Sequence, residues 1–265
     1  MDKKRINFYT NIAPHYRKNL WKRLVHMKEF DVHFYFGNGK DFKIKQIDFS
    51  SLDFKSKSNQ LHQLKNRLFK KILFWQSGVI KSCLKDSFEV GVFLGEYQII
   101  STWIAILCCR LKKRKVVFWT HGMYGKEGYL KRKVRLLFYN LADKILTYEN
   151  RAKNLLISHG IKADKFDVLY NSLDYDAHLA IRNQLSPTRL FEDCFNNKNK
   201  VLTFIGRLTP VKRLDLLIEA LRLLKEEGKH YNLVLIGDGT ERERLQEMSK
   251  KYHLEENCWF YGACY

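Results

Sequence analysis

Proline is scarce, at three in 265 residues, and no tract of low complexity interrupts the chain, which together exclude a disordered protein. The six cysteines, Cys83, Cys108, Cys109, Cys194, Cys258 and Cys264, form no CxxC pair and have no histidine-rich spacing beside them, so a zinc module is excluded. They read as reduced, mostly buried thiols of a cytosolic protein. No apolar run approaches the roughly 20 residues of a membrane-spanning helix, the longest being Ile99 to Cys109. The amino terminus, MDKKRINFYTNIAPHYR, is basic but lacks the continuous apolar stretch of a signal peptide, because Asn7, Thr10 and Asn11 interrupt it. The chain therefore reads as neither secreted nor membrane-spanning. Acid is also in short supply: 28 Asp and Glu against 48 Lys and Arg leave a formal net charge of +20. Its partners should be anionic, a nucleotide, an anionic lipid or nucleic acid. Nucleic acid has no further support, since no recognition-helix pattern, RNP-like aromatic strand or zinc module is present.

What is there, 45% hydrophobic and 14% aromatic residues, suffices for one large or two modest cores. The most informative stretch is Val201 to Gly239, VLTFIGRLTPVKRLDLLIEALRLLKEEGKHYNLVLIGDG. Val201 to Ile205 is a β-branched and apolar run ending at Gly206, as a buried parallel strand ends. Leu214, Leu217, Ile218, Leu221 and Leu224 then recur at helical spacing, with Gly228 where a C-cap is wanted. A second strand, Leu233 to Ile236, runs into Gly237-Asp238-Gly239. Thr240 and Glu243 have the spacing of a capping box, so a helix should open there and carry Leu245, Met248 and Tyr252 inward. With a third strand at Cys258 to Phe260, this is half of a doubly wound α/β domain. Ligands bind at the carboxyl ends of such strands, and Arg207 and Lys212 flank the first turn there. Two cations facing one small volume suit a phosphate; solvated surface charges are the plainer alternative.

The phrase GRLxxxKRxDxLIxAxxxL followed by LVLIGDGxxxxxL closely resembles the donor-binding half of the retaining GT-B glycosyltransferases, the glycosyltransferase family 4 group. The resemblance implies an α/β, GT-B architecture of two Rossmann-like doubly wound domains. An acceptor-side domain would occupy residues 1–187, a linker 188–199, and an incomplete nucleotide-sugar-binding domain 200–265. It further implies that Gly206, Arg207, Lys212, Gly237, Asp238 and Gly239 bind a nucleotide-diphospho-sugar donor, and that transfer proceeds with retention and without a metal or other cofactor. Arg207 and Lys212 would stabilise the departing diphosphate, aided by the start of the Leu214 helix. The family continues beyond a strand like CWFYG into a segment bearing two glutamates, and this chain stops at Tyr265 before it. The expectation is a C-terminally truncated transferase of impaired activity, and the competing reading is a non-enzymatic nucleotide- or membrane-binding remnant.

In the amino-terminal half, Ile6 to Thr10 and Val32 to Phe36 are expected strands, the latter closed by Gly37-Asn38-Gly39, with a helix between them carrying Leu20, Leu24 and Met27 inward. The loop after the first strand supplies Asn11, His15, Tyr16 and Arg17, which the resemblance makes acceptor-binding candidates and which equally suit an ordinary βα loop. Gln60 to Leu84 reads as a basic amphipathic helix, with Leu61, Leu64, Leu68, Ile72 and Trp75 on one face and Lys65, Arg67, Lys70, Lys71 and Lys81 around it. Such a helix fits a core with a solvated back, or an anionic membrane surface. Tyr129 to Leu141 repeats the pattern, and LKKRK follows the apolar helix at Ile99 to Leu111. Val116 to Thr120 delivers His121-Gly122 at its carboxyl end. The resemblance of VVFWTHG to the family's N-domain site gives His121 a catalytic place beside the donor sugar, and Glu127 is a candidate for holding acceptor hydroxyls. Strands at Ile145 to Tyr148 and Val168 to Tyr170 and a helix from Glu149 to Ser158 close this half. Asp174-Tyr175-Asp176 has the form of a metal-binding DxD triplet, but it follows the last strand of the first sheet, where the resembled family has an interdomain loop, and no metal site is assigned. The acceptor implied is a glycan or lipid-linked glycan in cell-surface polysaccharide assembly. The place implied is the cytoplasm, with peripheral attachment to the inner face of the cell membrane left open.

Overall fold

The computed structural model describes residues 3–37, 46–50, 54, 56–69, 73–125, 127–171 and 174–264. They form two compact units, Met1–Asn183 and Gln184–Tyr265. The first contains strands β1 (Lys4–Thr10), β2 (Phe30–Gly37), β3 (Leu61–Phe69), β4 (Leu73–Ser77), β5 (Val90–Leu94), β6 (Lys115–Thr120), β7 (Lys144–Thr147) and β8 (Phe166–Val168). Its helices are α1 (Lys18–Val25), α2 (Val79–Lys85), α3 (Ile100–Leu111), α4 (Tyr129–Asn140), α5 (Asn150–Ser158) and α6 (Tyr175–Gln184). The strands make one sheet in the order β4-β3-β2-β1-β5-β6-β7-β8, parallel throughout except for β3 with β4.

Side chains alternate between two cores at the period of two that a strand dictates. Tyr9, Phe93, Phe118 and Ile145 face one core, under α2 to α5; their neighbours Phe8, Val92, Trp119 and Leu146 face the other, with Trp21 and Val25 of α1. Both faces being covered, the strands read as near-continuous apolar runs. Strand β5 breaks that pattern with Gly91, where a Cβ would overlap the ring of Phe93, and so carries no clear strand signal in the sequence.

Several expectations require correction. Gln60 to Leu84 is not one helix: Leu61–Phe69 pairs with β2 and turns back antiparallel as Leu73–Ser77, with Val79–Lys85 the only α-helical part among the described residues of that stretch. The side chains that matter recur at two, not at three and four. His62 stacks on Tyr35, Leu64 enters the core, and Asn66 donates to the carbonyl of Asn11 at 2.8 Å. The unfilled edge of β2 outweighs the local helical period, as tertiary context does for strands. Lys70, Lys71 and Ile72 lie outside the described residues, as do Asn38 and Gly39. Helix α1 buries Trp21 and Val25, packs Leu24 against the same core as expected and leaves Leu20 exposed, because Trp21 takes the inward place, edge-on against Phe34 and Trp119. The last strand is Phe166–Val168; Tyr170 takes a left-handed conformation that ends pairing.

On the first core's face, β2 and β3 place two imidazoles together. His33 Nδ1 lies 3.0 Å from His62 Nε2, and His33 Nε2 lies 3.1 Å from Asp31, whose other oxygen accepts from Gln60 at 2.7 Å. Burial lowers the pKa of both histidines, helped by Arg5, so the folded chain holds them neutral. The unfolded chain takes up protons near pH 6.5 that the folded chain refuses, and stability falls as pH drops below that value, by up to about 1.4 kcal/mol per pH unit for each proton. The thermal midpoint should therefore fall between pH 7 and pH 5, and His62→Gln should flatten that dependence; an unchanged slope in the variant counts against the account.

The second unit holds α7 (Leu190–Phe195), β9 (Lys200–Ile205), α8 (Leu214–Glu226), β10 (Tyr231–Ile236), α9 (Arg242–Lys251) and β11 (Cys258–Gly262). Its parallel sheet runs β11-β10-β9. Helix α7 falls inside the stretch 188–199 expected as a linker. Strand β10 is the buried one; β9 is an edge, and Ile205 is 74% exposed where a buried strand was expected. Leu235 is fully buried, while Leu216 is exposed. Leu214, Ile218 and Leu221 of α8 pack on Leu233, Leu235 and Leu245. Gly228 has φ +75 and ends α8, the N–H of Lys229 returning to the carbonyl of Leu224 at 2.8 Å. The capping box at Thr240 does not form. The N–H groups of Glu241 and Arg242 go to the carbonyls of Leu208 and Gly239, so the loop backbone starts α9 and no side chain caps it.

Candidate functional site

Two loops meet at the carboxyl ends of β9 and β10. The N–H of Gly206 bonds to the carbonyl of Ile236 at 2.9 Å, and the N–H of Leu208 to that of Asp238 at 3.0 Å, with Leu208 itself fully buried. A Cβ at Gly237 would overlap the carbonyl of Gly206, and one at Gly239 the carbonyl of Leu208. The two glycines thus bring the loops into backbone contact, while the Asp238 carboxylate accepts the N–H of Gly239 at 2.8 Å. On this base Arg207 and Lys212 are exposed, separated by a 3-10 turn, Pro210–Lys212. Arg189, Arg213, Arg222 and Arg244 are ion-paired and Arg242 donates to the carbonyl of Phe260. Among the described residues of this unit Arg207 is the one arginine left without a partner. Asp215 in the first turn of α8 is held by Arg213, which stands at the helix start in a left-handed conformation.

In the first unit, β6 and β7 end side by side on His121 and Tyr148. Thr120 fixes the turn, its hydroxyl accepting the N–H of Gly122 at 3.0 Å and donating to the carbonyl of Gly95 at 3.2 Å. Arg135 donates to the carbonyl of Gly122 at 2.9 Å. The rings of His121 and Tyr148 lie 4.3 Å apart, and burial together with Arg17 keeps the imidazole pKa low. Arg17 donates to the Tyr148 hydroxyl at 2.6 Å with its guanidinium 4.6 Å from the Trp119 ring. Tyr148 therefore joins two residues that are far apart in sequence; its position just past the end of a strand, the same signal used for His121, could have identified it. Arg17, Tyr16 and Tyr148 line a cleft of about 640 Å³ whose other walls include Phe8, Leu20, Leu24, Leu146 and Leu169. His15 is exposed beside Tyr16, their rings 5.8 Å apart. Asn11 is not brought to this cleft: its carbonyl is bonded to Asn66 of the hairpin.

A second, polar cavity of about 380 Å³ opens around His121, lined by Glu96, Gln98, Tyr124, Glu127, Lys131 and Arg135 with Gly122. Glu127 is already engaged there. Its side chain is 6% exposed, pairs with Arg135 at 3.0 Å, and accepts the N–H groups of Tyr124 at 3.2 Å and Gly125 at 3.1 Å. Burial works against the charged form, but those bonds and Arg135 hold the carboxyl pKa below its usual value. As for metals, Asp176 pairs with Arg23 at 2.9 Å and Asp174 caps α6 through the N–H of Ala177. The described residues contain no group of three or more His, Cys, Asp or Glu placed to hold an ion.

Residues 59–177 match the family model Glycosyltransferase Family 4, and residues 189–265 match Glycosyl transferases group 1. The amylovoran biosynthesis glycosyltransferase AmsD of Erwinia amylovora is 29% identical over 126 residues, 48% of this chain and 33% of its own length. An uncharacterized glycosyltransferase of Methanocaldococcus jannaschii is 27% identical over 157 residues, 57% of this chain and 36% of its own length. The matched stretches thus span about a third of these curated relatives. In fold, the chain is similar to the lipopolysaccharide outer core galactosyltransferase WaaB, with TM-score 0.64 at 18% identity, over 98% of this chain and 68% of that one. It is likewise similar to Anabaena HepE in complex with UDP, with TM-score 0.63 at 16% identity, over 98% and 69%. The paired family matches, on two α/β units whose strands end on His121 and on Arg207, show that the chain belongs to the family 4 glycosyltransferases of GT-B fold.

Proposed function

We propose that the protein transfers a sugar from a nucleotide-diphospho-sugar to a glycan or lipid-linked acceptor in cell-surface polysaccharide assembly. The observation that carries this reading is Arg207, fixed on a loop at a strand's carboxyl end and without a partner among the described residues, while the other arginines of its unit are engaged. As the glycosidic bond of the donor breaks, the departing diphosphate gains charge. Arg207 meets it as a planar fork and Lys212 as a point charge, with no metal required and with the anomeric configuration retained. The UDP held by HepE and the polymer named for AmsD support the donor and acceptor classes. His121, kept neutral, lies on the acceptor side with Arg17 and Tyr148. Calorimetric titration with UDP tests the donor claim: binding should be the same with magnesium and with chelator, and binding that vanishes with chelator contradicts it.

The acceptor reading extends to an anionic membrane. Helix α3 exposes Ile100, Ile104, Leu107 and Leu111 in one stripe, and α4 exposes Leu130, Val134 and Leu137 in another; Leu111 is 81% and Leu130 75% exposed. The two helices touch through Trp103 and Phe138. Exposed Lys112, Lys113, Lys131 and Lys133 flank the stripes, and between Tyr97 and Ala142 the one acid is the buried Glu127. Each lysine near an anionic leaflet adds about 1 kcal/mol to binding. Vesicles of phosphatidylglycerol should therefore sediment the chain and vesicles of phosphatidylcholine should not. Leu107→Glu with Leu137→Glu should reduce that binding about tenfold or more, and equal binding to both vesicle types counts against a charged docking face.

A further inference from the structure

Glu127 was the carboxylate expected to hold acceptor hydroxyls, and it is used up inside the protein. We infer that Glu96, with Gln98 beside it, binds the hydroxyl groups of a neutral acceptor sugar in the cavity next to His121. The inference rests on the transferase reading above.

Glu96 stands in the turn after β5, its own carbonyl accepting the N–H of Ile99 at 3.0 Å, so its backbone is fixed at the cavity wall. No hydrogen bond or ion pair engages its carboxylate among the described residues, although Arg135 and Lys131 line the same cavity. Arg135 is committed to Glu127 and to the carbonyl of Gly122. Burial raises the Glu96 pKa and Arg135 opposes the rise, as expected of a carboxylate set in a concave wall and still lacking its donor. Leaving such a group unmatched costs stability, which is the pattern of a site that a ligand completes.

The character of the ligand follows from the charges around it. Glu96 and Glu127 are two acids, Lys131 and Arg135 two cations, and His121 is held neutral, so the cavity carries no net charge on a chain of net charge +20. A phosphate or a carboxylate gains nothing there. A sugar does: vicinal hydroxyls donate to Glu96, the Gln98 amide both donates and accepts, and the Tyr124 ring offers an apolar surface for a sugar face. A carboxylate awaiting donors also rejects analogues that lack the hydroxyl, giving specificity as well as affinity.

The test uses methyl glycosides of glucose, galactose, mannose and N-acetylglucosamine as probes, with binding to the whole chain read by saturation-transfer NMR and thermal midpoints read in parallel. At least one glycoside should bind. Glu96→Gln should weaken it about tenfold or more with the midpoint unchanged or slightly raised, since an unmatched charge is removed. Glu127→Gln should instead lower the midpoint, because it frees the Tyr124 to Gly125 turn and strands Arg135. Absence of glycoside binding, unchanged binding in Glu96→Gln, or a midpoint loss in Glu96→Gln as large as in Glu127→Gln overturns the assignment. UDP binding, which depends on Arg207 and Lys212 in the other unit, is measured separately. Its loss contradicts the donor reading, and its survival with failed glycoside binding contradicts only this one.

Discussion

Replacing Arg207 and Lys212 together by alanine should weaken UDP binding by about two to four orders of magnitude, and each single replacement by about one to two. Charge-assisted hydrogen bonds of the kind a guanidinium or ammonium gives a diphosphate are among the stronger single contributions to binding. Neither side chain has a partner among the described residues, so the same substitutions should leave the thermal midpoint of the chain where it is. That contrast separates a ligand-binding pair from a structural one. Arg213→Ala, one residue away but paired with Asp215, serves as the control and should change UDP binding little. Retained affinity in the double variant would place the diphosphate elsewhere.

The second large effect concerns the loops beneath those cations. Gly237 has φ +145, and a Cβ there runs into the carbonyl of Gly206, which is backbone and cannot rotate away. Gly237→Ala should therefore destabilise the second unit by about 3 kcal/mol or more, since it combines a conformation closed to L residues with a forced separation of two bonded loops. For a unit of this size that is a fall in thermal midpoint of roughly 12 °C or more. UDP binding should fall with it, as Arg207 is displaced from its base. Gly228→Ala is the comparison: φ is +75, but nothing lies within 4 Å of the added methyl, so the cost should be about 1 kcal/mol and binding should be kept. Equal effects of the two substitutions would mean that the loop contact is not what places Arg207.

The contrast between these glycines also marks what was legible in the sequence. The strand and helix periods from Val201 to Gly239 and the turn glycines made the order of elements in the second unit readable, because each signal there is local, while the exposed edge at Ile205 and the uncapped helix start after Thr240 depend on neighbouring segments. His121 was readable for the same reason, as the residue following an unbroken apolar strand. The hairpin at Leu61–Ser77 was not, since its basis is the edge of β2, far back in sequence, and its leucines happen to fall at helical spacing. Tyr148 stands just past a strand end as His121 does, a local signal for its position, but its contacts with Arg17 and His121 are long-range and appear only in the fold. Glu127 was singled out in the sequence, and Glu96 was not, for a related reason. Which of two carboxylates is already satisfied depends on the buried Arg135, a helix residue that sequence alone marks only as one more cation in a basic run.

The central claim is that the diphosphate of the donor is held by the loop pair of the second unit. Uniformly 15N-labelled protein titrated with UDP in the presence of chelator tests it most directly. The account predicts amide shifts concentrated at Gly206 to Arg213 and Gly237 to Glu241, saturating with the affinity that calorimetry gives. Shifts confined to the residues around Arg17 and Tyr148, or none at saturating UDP, would contradict it.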